Sequence, residues 1–282
     1  MRRLRRQNME IGMFTARIAG ISRLRFDTDG PGIRTLVPLS GCHLDCAYCI
    51  NSKLRNPTLG EEYSPEKLLE QVRIDDVYFM ASGGGITFGG GEPLLHSKFI
   101  RRFREICPAG WTIAVETSLN VPQEDVERLI GIVGRWIVDI KELDPAEYRE
   151  YTGESNERVT SNLNLLEERG CASRILVRIP RILGLNTLQD IMRSARQLRA
   201  RGYETEVFDY IIPDSFIKQY SDGEALMGYL IDSDEVESEG CRDGASYSHK
   251  ALKNIYEILT TPLTGIPLYP DTPTEGDYSS WD

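Results

Sequence analysis

The stretch Gly41-Cys42-His43-Leu44-Asp45-Cys46-Ala47-Tyr48-Cys49-Ile50-Asn51 holds three of the six cysteines of this chain within eight residues. Three residues separate the first two of these cysteines, and two residues separate the second and third. Thiolates are soft ligands, and a loop this short can direct three of them at one metal centre. Because four-iron clusters normally take four cysteines, the loop indicates either a fourth ligand elsewhere or one iron left open for a substrate.

Zinc is the main alternative metal for such a loop. A structural zinc site needs a second pair of Cys or His ligands, and no other pair has the required spacing. The residues considered are Cys107, Cys171, Cys241, His43, His96 and His249. The sequence therefore favours an iron–sulfur cluster over zinc. We expect Cys107 and Cys171, which fall at predicted helix ends, to be buried small thiols.

The spacing C-x3-C-x2-C, with an aromatic residue before the third cysteine, resembles the radical S-adenosylmethionine (SAM) superfamily. The resemblance implies one 4Fe–4S cluster with three cysteine ligands and an open iron that binds the amino and carboxylate groups of SAM. It also implies that the reduced cluster cleaves SAM to a 5′-deoxyadenosyl radical. The implied cluster ligands are Cys42, Cys46 and Cys49, and the other candidate cofactor-binding residues of the loop are Tyr48, Ile50 and Asn51.

A glycine-rich stretch follows at residues 83–93. So many glycines around a short strand favour a close approach of the backbone to a ligand. The segment Gly90-Gly91-Glu92-Pro93 resembles the Gly-Gly-Glu-Pro stretch of the superfamily, whose backbone meets the amino group of SAM. The resemblance makes Gly90, Gly91 and Glu92 candidate cofactor-binding residues.

A third stretch, Asp29-Gly30-Pro31-Gly32-Ile33-Arg34, narrows the resemblance to the activases of glycyl radical enzymes, typified by pyruvate formate-lyase activating enzyme. Taken alone, this stretch predicts only a tight turn that needs its glycines. The 40 residues between Cys49 and Gly90 contain no cysteine and hence no inserted ferredoxin-like domain, as in the short activases. The resemblance implies a glycyl radical enzyme as protein substrate and a flavodoxin- or ferredoxin-type reductant.

Strand and helix patterns alternate along residues 35–211, which predicts a parallel sheet. We expect strands at 35–39, 86–88, 112–116, 136–141, 174–179 and 206–211, with helices at 64–72, 99–106, 124–132, 162–169 and 188–200. An additional strand or lead-in is expected over 18–24. Six βα units predict an α/β fold, an open (β/α)6 partial TIM barrel over residues 1–212, as the superfamily resemblance also implies.

Charged residues fall at the carboxyl ends of the predicted strands, where chemistry is found in parallel barrels. The resemblance assigns Asp139 and Lys141 to contacts with SAM, and it places Arg178 on a strand that faces SAM and the target peptide. Glu116 occupies the position of an acidic residue that activases associate with a monovalent cation beside SAM. Rim charges in water are the alternative interpretation of each residue taken singly.

Two family histidines are absent. Activases carry Cys-His-Asn where this chain has Cys49-Ile50-Asn51, and no histidine occurs in residues 210–214 after the sixth predicted strand. The resemblance covers about residues 16–212, and it leaves the residue that contacts adenine unassigned.

Charge is distributed unevenly along the chain. Residues 213–282 hold 14 Asp and Glu against 4 Lys and Arg, which accounts for the whole net charge of −10. We interpret this segment as a separate acidic C-terminal extension that binds a partner. The acidic total argues against a nucleic-acid partner. No stretch has the apolar length of a transmembrane helix, no apolar segment of the signal-peptide kind follows residues 1–6, and the unpaired cysteines favour a cytoplasmic location.

The leading interpretation is therefore a radical SAM activase. The first alternative is a radical SAM enzyme that acts on a small molecule or peptide, as in the short carboxydeazaguanine synthases. The second is a non-catalytic iron–sulfur carrier, but a carrier favours four protein ligands and so is disfavoured by a three-cysteine loop.

Overall fold

The computed structural model describes residues 14–26, 28–182 and 186–209. One sheet organises this part of the chain. Its strands are β1 (Ala16–Ile18), β2 (Ser22–Arg25), β3 (Arg34–Leu39), β4 (Glu61–Tyr63), β5 (Gly85–Gly90), β6 (Thr112–Thr117), β7 (Arg135–Asp139), β8 (Ile175–Arg181) and β9 (Glu204–Asp209). The order in the sheet is β4-β1-β3-β5-β6-β7-β8-β9, with β2 also paired to β3.

Helices connect successive strands of the parallel part of the sheet. They are α1 (Pro65–Val72), α2 (Asp76–Ser82), α3 (Ser97–Ile106), α4 (Gln123–Glu127), α5 (Pro145–Thr152), α6 (Glu157–Glu168) and α7 (Leu188–Ala200). Single turns of 3-10 helix cover Ser52–Arg55, Arg73–Asp75, Pro93–His96 and Ala172–Arg174. Within the described ranges, no helix is long and apolar enough to cross a membrane.

Six neighbouring strands of the sheet pair in parallel, in the order β3, β5, β6, β7, β8 and β9. β3 and β9 are not neighbours in the described sheet, so the barrel is open between them. This arrangement confirms the predicted open (β/α)6 partial barrel. The predicted boundary at residue 213 and the acidic extension lie outside the described residues.

Aromatic packing between β5 and α3 fixes one wall of the barrel. The ring centroid of Phe88 lies 6.3 Å from that of Phe99 and 5.6 Å from that of Phe103, both edge-on. All three side chains are buried. Edge-on aromatic pairs add to the stability that burial provides, so the carboxyl end of β5 has a firm support.

The structure differs from the predicted elements in several places. The strand expected over 18–24 is split into β1 and β2, which run antiparallel to β3. The helix expected over 124–132 ends at Glu127, and three-residue turns follow because Gly131 and neighbouring β-branched residues favour helix poorly. Helix α5 was not predicted, although Asp144-Pro145 and Gly153 are helix start and stop signals.

Candidate active site

The cysteine loop leaves the carboxyl end of β3 and is held by backbone hydrogen bonds at its start and middle. The Gly41 N–H donates to the Leu54 carbonyl at 2.7 Å. The N–H groups of Asp45 and Ala47 donate to the carbonyls of Thr152 and Tyr151, at 2.9 and 3.0 Å. The last carbonyls of a helix lack partners inside that helix, so the end of α5 holds the loop in place.

The three cysteines of the loop are free and half-buried. Burial, together with the nearby charge of Glu92, raises the pKa of Cys42 to about 12. Burial also raises the pKa of Cys46, and the positive charge of Lys141 partly opposes this rise. Both groups are therefore neutral thiols in the unliganded protein, and bound metal is what stabilises a thiolate in such surroundings.

The surroundings of the cysteine loop are compatible with a bound cluster. Among the described residues, no three Cys, His, Asp or Glu side chains converge closely enough to ligate one metal ion. In a 4Fe–4S cluster each thiolate binds its own iron, so the sulfurs need not converge on one point. Two buried polar atoms beside Cys42, Ser40 Oγ and His43 Nε2, also lack a hydrogen-bond partner in the described chain. A bound sulfur-containing group would accept from such donors.

The glycines after β5 bring two backbone segments into contact. A Cβ atom on Gly91 would lie 2.3 Å from the Gly41 carbonyl oxygen, and one on Gly90 would lie 2.8 Å from Pro38 Cα. Gly90 also has a φ of 101°, in the left-handed region. The Glu92 N–H donates to the Gly41 carbonyl at 2.8 Å. The described contacts thus explain these glycines by packing against the cysteine loop rather than by ligand approach alone.

The Glu92 carboxylate is buried and bound by protein groups. One oxygen accepts from Thr117 Oγ1 at 2.7 Å and from the Leu94 N–H at 3.2 Å. The other accepts from the Ser118 N–H at 2.9 Å and from Ser118 Oγ at 2.6 Å. These four hydrogen bonds tie the end of β5 to the end of β6. They suit a positioning role, and contact between Glu92 and a cofactor stays a prediction.

Four predicted residues meet in one ionic network at the carboxyl ends of β6, β7 and β8. Arg178 donates from Nε to Asp139 at 2.8 Å and from Nη1 to Glu116 at 3.2 Å. Lys141 Nζ lies 3.4 Å from the second oxygen of Asp139. The sequence predicted Lys141 inside the strand, but β7 ends at Asp139 and Lys141 lies beyond it. Its ammonium group still reaches Asp139.

Burial and neighbouring charges shift the pKa values of Glu116 and Asp139 in opposite directions. Burial raises the pKa of Glu116 to about 7, although Arg178 opposes the rise. Burial would also raise the pKa of Asp139, but Lys141 and Arg178 together hold it below its ordinary value. The same two acids raise the pKa of Arg178 against the opposing effect of burial. Asp139 is therefore ionised at neutral pH, whereas Glu116 is poised to take or release a proton.

The ionic network reaches the cysteine loop through Tyr48. Lys141 Nζ lies 5.9 Å from the centre of the Tyr48 ring, within the range of a cation–π contact. The Tyr48 ring is buried in a small apolar cluster with Tyr151 and Ile182, against which Cys46 also packs. Tyr48 therefore connects the loop to the strand ends. The other two candidates of the loop, Ile50 and Asn51, are exposed.

The stretch 29–34 lies at the opposite, amino end of the strands. Arg34 pairs in register with Gly85 on β5, which in turn pairs with Thr112 on β6. Its guanidinium is buried and donates to the hydroxyls of Thr87 and Thr112, at 2.6 and 2.9 Å. It also donates to the carbonyls of Pro31, Ile86 and Thr112. Arg34 therefore lies at the base of the barrel. It is at the opposite end of β3 from the cysteine loop.

A cavity of about 720 Å³ is bordered by the turn before β3 and by strands β7, β8 and β9. It is lined by Gly30 and Pro31 from the stretch 29–34, by Arg178 from the ionic network, and by residues of β9 such as Glu206 and Phe208. This volume is in the range of small-ligand sites. The cavity therefore connects one member of the strand-end network with the turn at the barrel base.

Several residues of the site could not be identified from the sequence. Thr117 and Ser118 hold Glu92, and the carbonyls of Tyr151 and Thr152 hold the cysteine loop. Backbone carbonyls leave no sequence signal of their own, but the helix signals around α5 could have located them. Cys107 and Cys171 are buried, as expected, whereas Cys241 lies outside the described residues.

Comparisons with known proteins show which family this chain resembles. The family model of the radical SAM superfamily matches residues 36–198. The chain is 35% identical over 150 residues to the (2S)-3-sulfopropanediol dehydratase activating enzyme of Klebsiella oxytoca, a match that covers 50% of this chain and 46% of the relative. It is 35% identical over 143 residues to the pyruvate formate-lyase-activating enzyme of Clostridium pasteurianum, covering 50% of this chain and 60% of the relative.

The matches to these two activating enzymes thus span about half of each relative's length. Among solved structures, the chain is similar to Streptococcus suis SuiB bound to S-adenosylmethionine, with a TM-score of 0.52 and 17% identity over 73% of this chain and 50% of that one. That similarity shows the fold alone. Because the family model spans more than half of the 282 residues, the chain belongs to the radical SAM superfamily, a family that uses a 4Fe–4S cluster and SAM.

Proposed function

We propose that the chain is a radical SAM activase, which abstracts a hydrogen atom from a glycine of a partner glycyl radical enzyme. Cys42, Cys46 and Cys49 hold the 4Fe–4S cluster in this proposal. When bound, the cluster supplies an electron to SAM, and the 5′-deoxyadenosyl radical that results takes the hydrogen atom. A flavodoxin- or ferredoxin-type protein is the proposed source of the electron. The similarity to named activating enzymes supports the proposal.

The protein itself positions SAM and supplies charged groups at fixed places around it. Gly90 and Gly91 offer backbone groups beside the cysteine loop, and Lys141 and Arg178 offer fixed positive charges. Asp139 orients both cations through the contacts described above. Glu116, which is half-protonated near pH 7, is the proposed ligand of a monovalent cation, and a bound cation would keep it ionised.

One observation carries the choice of an activase over other radical SAM reactions. Gly30 and Pro31, which belong to the activase-like stretch, border the same cavity as Arg178. A substrate in this cavity would therefore contact the stretch that distinguishes activases and the network proposed to hold SAM. Close and fixed placement of reactants is the main help that a protein gives to such a step.

The acidic segment 213–282 is the proposed partner-selecting region. It carries the whole net charge of −10. Charge of one sign steers association and rejects wrong partners more than it adds affinity. Removal of this segment is expected to leave SAM cleavage without a partner intact and to slow activation of the partner.

Deuterium transfer tests the proposed activity. Glycyl radical enzymes encoded in the same genome would be produced with α-deuterated glycine and incubated anaerobically with the reduced, reconstituted protein and SAM. An activase transfers deuterium to 5′-deoxyadenosine and leaves a protein-based radical visible by electron paramagnetic resonance (EPR). A partner whose target glycine is replaced by alanine is the control. SAM cleavage without deuterium transfer from any such enzyme would contradict the proposal and favour a small-molecule substrate.

A further inference from the structure

The second residue of the cysteine motif has an unusual environment. His43 follows Cys42 directly, and its Nε2 atom is buried without a hydrogen-bond partner in the described chain. A buried polar group left unpaired destabilises the folded protein. Such an atom therefore calls for a partner that binds after folding.

A second histidine beside the same segment shows the contrast. His96 Nε2 lies 2.7 Å from the Ser40 carbonyl oxygen, so protein groups satisfy it. Both imidazoles lie next to the start of the cysteine loop, but only the His43 nitrogen lacks a partner. The difference indicates that His43 is prepared for a group that joins the loop, and the group that joins this loop is the cluster.

We propose that His43 donates an Nε2–H hydrogen bond to a sulfur of the iron–sulfur cluster and thereby raises the cluster's reduction potential. The inference rests on the proposed cluster site at Cys42, Cys46 and Cys49. In the tautomer that carries its proton on Nε2, imidazole is a donor, and the sulfurs of a cluster are acceptors whose hydrogen bonds set its potential.

The direction of the effect follows from charge. Reduction adds one negative charge to the cluster, so its sulfurs accept hydrogen bonds more strongly in the reduced state. Loss of the donor therefore disfavours reduction. We expect the hydrogen bond to favour the reduced cluster over the oxidised cluster about tenfold, which corresponds to about 1.4 kcal/mol. For a one-electron couple, tenfold corresponds to about 59 mV.

The test compares His43→Leu, which removes the donor, with His43→Gln, which keeps an N–H donor of similar reach. Each variant and the wild type would be reconstituted with iron and sulfide without oxygen, and the iron content measured. The midpoint potential would then be followed by EPR during a redox titration. The expected result is a full cluster in both variants, a potential about 59 mV lower in His43→Leu, and partial recovery in His43→Gln.

A second readout detects the bond itself. Pulsed EPR of the reduced cluster should show a coupled exchangeable proton that disappears in deuterated water and is absent from His43→Leu. His96→Leu is the matched control and should change neither readout. Equal shifts in the His43 and His96 variants would overturn the inference, because they would indicate a general disturbance of the loop.

The remaining outcomes also decide the matter. Unchanged potential and proton coupling in His43→Leu would overturn the inference while leaving the cluster site intact. Loss of iron from both His43 variants would overturn it too, since His43 would then be needed to form the loop. Failure of the wild type to bind iron would instead contradict the proposed function, so the two failures are distinguishable.

Discussion

Arg34 and Arg178 lie toward opposite ends of the parallel strands, and both are largely withdrawn from water. At the amino end, Arg34 is 1% exposed and donates to three carbonyls and two threonine hydroxyls. At the carboxyl end, Arg178 is held by two carboxylates, Asp139 and Glu116, and borders a cavity. The first arginine is fully bound by protein, whereas the second belongs to an acidic network beside open space.

The cysteine loop extends the same contrast. Its thiols have raised pKa values, and two polar atoms beside it are buried without partners in the described chain. Burial of unsatisfied polar groups is costly, so the two beside the cysteine loop indicate a binding function there. We therefore expect substitutions at the amino end to reduce stability and substitutions at the carboxyl end to reduce cofactor binding.

The largest expected effect is on iron. Replacement of Cys46 by alanine should remove most of the bound iron from the reconstituted protein, because a cluster with two protein ligands is held poorly. Iron content and visible absorbance measure this. Cys171→Ala, at a buried thiol remote from the loop in sequence, is the control and should keep its iron. Equal iron loss from both variants would remove the distinction between the two regions.

The next effect is on stability. Arg34→Met should lower the free energy of unfolding by about 3 kcal/mol or more, because Thr87, Thr112 and several carbonyls lose a buried donor. Denaturant unfolding of the apoprotein measures this change. The variant should still bind iron under conditions where it is folded. A stable Arg34→Met variant that binds no iron would contradict the structural role of this residue.

A smaller effect is expected on SAM affinity. Asp139→Asn should weaken SAM binding about tenfold, roughly 1.4 kcal/mol, because Lys141 and Arg178 lose the carboxylate that orients them. Isothermal titration of the reconstituted protein measures it, and the iron content should not change. Glu167→Gln is a matched control, since it breaks the 3.0 Å ion pair between α6 and Arg201, the residue that follows α7. Equal loss of affinity in the control would disprove a specific role for Asp139.

The last effect concerns pH. Burial raises the pKa of Glu116 to about 7 from an ordinary value of 4.5, so the folded state binds this proton more tightly than the unfolded state. Its contribution to stability is therefore complete below about pH 4.5 and is lost as the pH rises through about 7. Glu116→Gln should flatten the pH dependence of unfolding of the apoprotein by about 2.5 kcal/mol between about pH 5 and 8. An unchanged slope would show that Glu116 does not titrate in this range.

The sequence predicted the elements that depend on local pattern. Six parallel strands, the start of α1 at Ser64-Pro65 and the burial of Cys107 and Cys171 are all confirmed. The strand-end positions of Asp139 and Arg178 were also predicted, because parallel strands end at one edge of a sheet.

Long-range contacts could not be predicted in the same way. The support of the cysteine loop by α5 joins residues about a hundred positions apart through backbone atoms, which no side chain announces. The same holds for Glu92, whose motif suggested a ligand but whose carboxylate binds Thr117 and Ser118. The resemblance carried by the stretch 29–34 predicted no position for it in the fold, whereas in the structure Arg34 lies at the barrel base, and Gly30 and Pro31 line the cavity.

Cleavage of SAM by the reduced protein is the most direct test of the difference between the two ends. The reconstituted wild type, given a strong reductant and SAM without oxygen, should produce 5′-deoxyadenosine and methionine. Lys141→Ala should reduce the yield while leaving the iron content intact, and Arg34→Met should retain activity in proportion to its folded fraction. A wild type that holds four irons but neither binds nor cleaves SAM would contradict the proposed enzyme and favour an iron–sulfur carrier.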